Sequence, residues 1–79
     1  MHGNVINKDA VVITTSDTVA LPRGVCNGIY VGGAGNVVVL TEGGSVVTFT
    51  APVLGTVIPI RAVRVNTTNT TATLLLALY

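Results

Sequence analysis

Apolar and polar positions alternate in short runs along this chain, and Gly, Asn, Thr and Pro separate the runs. In residues 45–51, Val47, Phe49 and Ala51 fall on one side of an extended backbone, and Val46, Thr48 and Thr50 on the other. That period of two predicts a strand. Residues 37–40 (Val-Val-Val-Leu) contain no polar position, so a strand there is expected to be buried on both faces. It follows closely on a strand at 25–31, which places Ile29 and Val31 on one face and Tyr30 on the other. The two are expected to form a hairpin through residues 32–36, whose glycines permit positive φ. Residues 10–14 are mostly β-branched and read as the first strand. Residues 72–79 close the sequence, with Leu74, Leu76 and Leu78 on one face and Leu75, Ala77 and Tyr79 on the other. So short a leucine run, without a cap or a charge, makes a poor helix; a strand with a packed end at Tyr79 fits better. Turn chemistry at 15–18, 41–44, 52–55 and 66–71 punctuates the pattern. The fold class predicted is all-β: a small antiparallel sandwich or barrel of about six or seven short strands in meander-like order. Residues 1–9, polar apart from Val5 and Ile6, form an amino-terminal arm, and residues 10–79 a single β-domain.

Residues 55–65 (Gly-Thr-Val-Ile-Pro-Ile-Arg-Ala-Val-Arg-Val) are strand-like and also charged. Pro59 has no N–H for a ladder, so this run is expected to be an edge strand or to carry a bulge at that point. Arg61 and Arg64 would face opposite sides of one regular strand unless the backbone kinks between them.

Composition turns this pattern towards assembly. Of 79 residues, 49% are hydrophobic and only 9% charged, where a soluble domain ordinarily carries about 25%; the mean hydropathy is +0.74. A chain of this length buries only roughly 60% of the surface it exposes when unfolded, so its apolar excess must reach the outside. An exposed apolar patch of more than a few hundred square ångströms invites association. An obligate assembly is therefore expected, rather than a monomer coated in Thr, Gly and Asn. No apolar run approaches the ~20 residues of a membrane-crossing helix, and residues 1–9 have no signal-like apolar stretch. A formal charge of +1 creates no field for nucleic acid or membrane.

Candidate chemistry is sparse. His2 is the only histidine, and it reads as an uninvolved residue of the arm rather than a metal ligand. Cys26, the single cysteine, lacks a base to activate it and reads as a small buried thiol. Asp9, Asp17 and Glu42 lie in turns or at strand ends, with no spacing that pairs them for hydrolysis. Gly32-Gly33-Ala34-Gly35 resembles the start of a phosphate loop, but strand-forming Val37-Val38-Val39 follows where a helix is required. Asn66-Thr67-Thr68 and Asn69-Thr70-Thr71 match the glycosylation pattern as Thr-rich turns do by chance. Lys8, Arg23, Arg61 and Arg64 are too few for a nucleic-acid footprint, and Tyr30, Phe49 and Tyr79 do not interleave with them. The arginines are expected to pair with carboxylates or carbonyls, within the domain or across a subunit boundary. No catalytic, metal or cofactor set emerges.

Three segments also carry a family likeness: Gly28-Ile29-Tyr30-Val31-Gly32-Gly33-Ala34-Gly35-Asn36-Val37, then Val47-Thr48-Phe49-Thr50, then Gly55 through Val65. With Ser16 to Pro22 ahead of them, and Thr70-Thr71-Ala72 and Leu76-Ala77-Leu78-Tyr79 behind, the chain resembles the small spike-base proteins of tailed phages and gene transfer agents. The likeness runs from about Ser16 to Tyr79 and does not cover the first residues. It implies a non-enzymatic virion structural protein at the capsid surface, a homo-oligomer (trimer or pentamer) that decorates the head and anchors a spike or fibre. Expected partners are other copies, the major capsid protein and the spike or fibre protein. Pro59-Ile60-Arg61 and Ala77-Leu78-Tyr79 match recurrent family segments with structural roles. Contact surfaces are expected at Val37, Val38 and Val39, at Arg61 and Arg64, and along Leu74, Leu76, Leu78 and Tyr79, with the arm reaching a neighbour. The competing reading, a head- or tail-associated carbohydrate- or receptor-binding β-module, would need exposed aromatics in a concave site, and aromatics are 4% of the chain.

Overall fold

A computed structural model describes residues 8–79, so the expected arm falls outside the described residues except for Lys8 and Asp9. Seven strands follow in order: β1 (Ala10–Val12), β2 (Gly28–Val31), β3 (Val37–Thr41), β4 (Val46–Phe49), β5 (Val57–Ile58), β6 (Ala62–Val65) and β7 (Leu75–Leu78). They make two antiparallel sheets, ordered β1-β7-β2-β5 and β4-β3-β6, and the fold is all-β as the pattern requires.

The alternation within each strand explains how the sheets meet. On β2, Ile29 and Val31 point inward; their neighbours across the sheet are Ile58 and Ala77 beside Ile29, and Leu75 beside Val31. From the other sheet come Val37, Val39, Ala62 and Val65, and Ile13, Leu21, Cys26 and Ala72 fill the margins of the same core. Burying each of the larger aliphatic groups contributes roughly 1.5–3 kcal/mol, so this layer holds the sheets together. Val38, on the opposite side of β3, is also covered, and the expectation that this strand is buried on both faces holds.

Two pairings depart from the sequence expectation. β2 and β3 are not a hairpin: they lie in different sheets, and residues 32–36 carry the chain across the sandwich. The glycines there serve close approach more than conformation. A Cβ on Gly32 would come within 2.7 Å of the Leu74 carbonyl oxygen, and one on Gly33 within 1.9 Å of Thr73 Oγ1. Of that group only Gly35 has a positive φ, 138°, and it too abuts the backbone of Thr71 and Ala72. The order is therefore not a meander, and β3–β4 is the one consecutive pair, turning through residues 42–45. The run 55–65 is likewise two strands. After Ile58 the chain leaves the first sheet at Pro59, and it enters the second at Ala62. A bulge in β6 adjusts the register: Leu40 pairs with Arg64 and Thr41 with Ala62, so Val63 is the extra residue.

The free edges are treated unequally. The outer edge of β6 is covered by residues 16–21, where Ser16 N–H donates to the Val65 carbonyl (2.9 Å) and Leu21 N–H to that of Val63 (2.9 Å). On β1, the Ala10 N–H is taken by Asp9 Oδ1 (2.9 Å). β5 is two residues long and stops at Pro59. β4 presents a longer open edge, four residues without charge or proline.

Candidate functional site

The carboxylate side chains and the arginines are consumed in internal ties. Arg61 grips Glu42 in bidentate fashion (Nε–Oε1 2.7 Å, NH2–Oε2 3.2 Å) and donates through NH1 to Asn27 Oδ1 (3.1 Å). Arg64 donates to Asn66 Oδ1 (2.9 Å). Arg23 pairs with Asp9 and lies over the Tyr79 ring, 4.9 Å from its centre. Asp17 accepts from the N–H (2.9 Å) and hydroxyl (2.6 Å) of Thr68, fastening the loop at 66–71 to residues 15–18. All three carboxyls are held below the usual carboxylate range: Asp9 first by the Arg23 hydrogen bond, Asp17 by the Thr68 hydroxyl, and Glu42 by Arg61. Burial raises the Tyr79 phenol, whose hydroxyl donates to the Gly24 carbonyl (3.0 Å). These groups are shared among structural ties, and no pair of carboxyls faces a common cleft. Among the described residues no cluster of three or more His, Cys, Asp or Glu side chains forms a metal cage. Cys26 is fully buried; His2 lies outside the described residues.

What the exterior offers instead is apolar surface. On the outer face of the β1-β7-β2-β5 sheet, Val12, Leu76, Tyr30 and Val57 line up in register, one from each strand, and Ala10, Leu78 and Gly28 form the next row. Val12 is 73% exposed and Val57 47%. Leu74 extends the patch at 75% exposure, with its backbone held at φ 54°. A second surface runs along β4 into the β4–β5 loop, where Val46, Val53 and Leu54 are exposed. From Gly43 to Ile60 the sequence has no charged residue.

The residues named from sequence as contacts divide accordingly. Val37, Val38 and Val39 lie in this chain's own interior. Arg61 and Arg64 have internal partners. Leu76 and Leu78 stand half-buried on the outer sheet face, Tyr79 packs against the core margin, and Leu74 projects. Val12, Val19, Val46, Val53, Leu54 and Val57 were not singled out from sequence. The available signal was Val53-Leu54 between Pro52 and Gly55, an apolar pair where a turn ordinarily carries polar residues.

No protein-family model matches the chain, and no curated protein does. Among solved structures, a chain of the "Capsid of native GTA particle computed with C5 symmetry" is similar, with 32% identity and a TM-score of 0.82 over 94% of this chain and 84% of that one. The likeness thus spans both sheets rather than a shared hairpin, and with so much of each chain matched at that identity, the protein belongs to the same family as this polypeptide of the gene transfer agent capsid.

Proposed function

We propose that the chain is a non-enzymatic structural protein of a phage-like particle, a homo-oligomeric spike base that sits on the capsid and carries a projecting spike or fibre. The similarity to a gene transfer agent capsid chain across nearly the whole domain is the observation that carries this reading. The surface supports it: the carboxylate side chains and the arginines are tied internally, while apolar rows on the outer sheet face and along β4 remain uncovered. The row through Val12, Leu76, Tyr30 and Val57, with Leu74 and Leu78, is the contact with capsid or spike. Binding is additive adhesion, in which a symmetric set of copies multiplies individually weak contacts.

Size-exclusion chromatography with light scattering, followed by image reconstruction of particles carrying the chain, tests the proposal. The expected outcome is a discrete oligomer located between the shell and a projecting fibre. A stable 8.0 kDa monomer, or density elsewhere in the particle, refutes it.

A further inference from the structure

The β4–β5 loop and the segment that covers β6 lie on opposite margins of the β4-β3-β6 sheet. On one margin the loop is a fixed turn. Thr56 N–H donates to the Val53 carbonyl (3.3 Å), Gly55 N–H to the Val31 carbonyl (2.8 Å), and Gly55 adopts φ 79°. A backbone so well anchored would ordinarily carry polar side chains, yet it holds Val53 (73% exposed) and Leu54 (53%) out into solvent. On the other margin, residues 14–22 enclose a half-open hollow of about 330 Å³, lined by Thr14, Thr15, Ser16, Val19, Ala20 and Pro22. Nothing in that lining is charged. The nearest ionic groups are turned to other work, Asp17 to Thr68 and Arg23 to Asp9.

We infer that the occupant of this hollow is a second copy of the chain, which inserts Val53 and Leu54. The inference rests on the homo-oligomeric reading above and specifies its contact. Three observations select a second copy. The hollow, at about 330 Å³, has room for a pair of short aliphatic side chains. It offers no charge to orient a polar ligand. The protein's own uncharged tip stands on the opposite margin, so one copy presents the tip outward while its hollow receives the tip of another. Two unlike patches that fit each other make a head-to-tail contact, which repeats around a ring when the rotation closes. The open edge of β4 lies next to the tip and flanks the same contact.

Complementation between two surface variants tests this. Leu54→Asp removes the tip and leaves the hollow; Val19→Asp spoils the hollow and leaves the tip. Both side chains are exposed (Leu54 53%, Val19 67%), and circular dichroism melts confirm that each variant folds. Light scattering should find each variant dissociated, with association weakened at least about tenfold, and a 1:1 mixture should give a dimer and nothing larger. The dimer forms because one intact tip meets one intact hollow, and each partner blocks further growth. Variants that both assemble like the wild type overturn this contact while leaving the oligomeric reading intact. A mixture that stays dissociated also overturns it, because it shows that the two sites do not meet. A monomeric wild type overturns the oligomeric reading itself.

Discussion

Ala51 and Leu74 occupy left-handed backbone, at φ 43° and φ 54°, where an L side chain crowds its own carbonyl. Asn69 shares that region at φ 67°, but asparagine tolerates it, and its turn was readable from Asn-Thr-Thr chemistry. Ala51 heads the loop that carries Val53 and Leu54, and its N–H is held by Asn36 Oδ1 (2.9 Å). Ala51→Gly should relieve the strain and raise stability by about 1 kcal/mol, measured by urea denaturation, with the oligomer unchanged. Leu74 is both strained and 75% exposed, which supports the contact proposed for it. Leu74→Asn should melt at a higher temperature yet reduce incorporation into particles, assayed by quantifying the chain in purified particles. Gly35 is the opposite case. Its Cβ would meet the Ala72 nitrogen at 2.4 Å, backbone against backbone, so Gly35→Ala should cost roughly 2–4 kcal/mol in the same denaturation assay.

At the scale of elements, strand existence was readable in the sequence and strand partnership was not. Alternation in residues 45–51 and the β-branched runs marked nearly every strand, because burial on one face writes a period of two into the chain. Pairing depends on where the chain crosses between sheets, and close approach there is recorded only as glycine. Gly32, Gly33 and Gly35 looked like a hairpin turn and are a crossing packed against residues 71–74. Pro59 announces an edge strand or a bulge, and β5 is indeed an edge strand that stops there; the change of sheet that follows is not written in the sequence. The contact surface was harder still. The pattern reads Val37-Val38-Val39 as buried on both faces without saying by what, and only the fold shows that this chain itself covers them while Leu76 and Leu78 stay half-exposed. The same distinction gives a mutational contrast. Ile29→Ala empties the centre of the core and should cost roughly 2–5 kcal/mol, a large part of what so small a domain has. Val46→Ala, on the 61%-exposed side of β4, should shift a thermal melt only slightly.

For the whole molecule, the arrangement of charge predicts how stability and assembly respond to solution conditions, and it predicts them differently. Each carboxylate fastens an irregular segment: Asp9 ties the start of β1 to Arg23, Asp17 joins two loops through Thr68, and Glu42 ties the β3–β4 turn to Arg61. All three are lowered on folding, so their contribution is complete above the ordinary carboxylate range, near pH 4, and is lost as pH falls through the depressed values. Tyr79 is raised, so its contribution is complete below about pH 10 and is lost as pH climbs beyond it. Melting temperature should therefore be flat between about pH 5 and 9 and fall on both sides. Asp17→Asn should flatten part of the acid limb. The share owed to Asp17 should persist in high salt, because its main partners are a neutral hydroxyl and amide, whereas the shares of Asp9 and Glu42, paired with arginines, should shrink. Assembly should follow another rule. The contact proposed between copies is uncharged on both sides, and the carboxylate side chains and arginines are occupied within each chain, so adding about 0.5 M NaCl removes nothing that holds copies together. Sedimentation or light scattering across a salt series should show an oligomer that is unchanged or tightened. Dissociation as salt rises would mean that Arg61, Arg64 or their partners bridge copies after all, and would move the contact from the uncharged margin to the charged one.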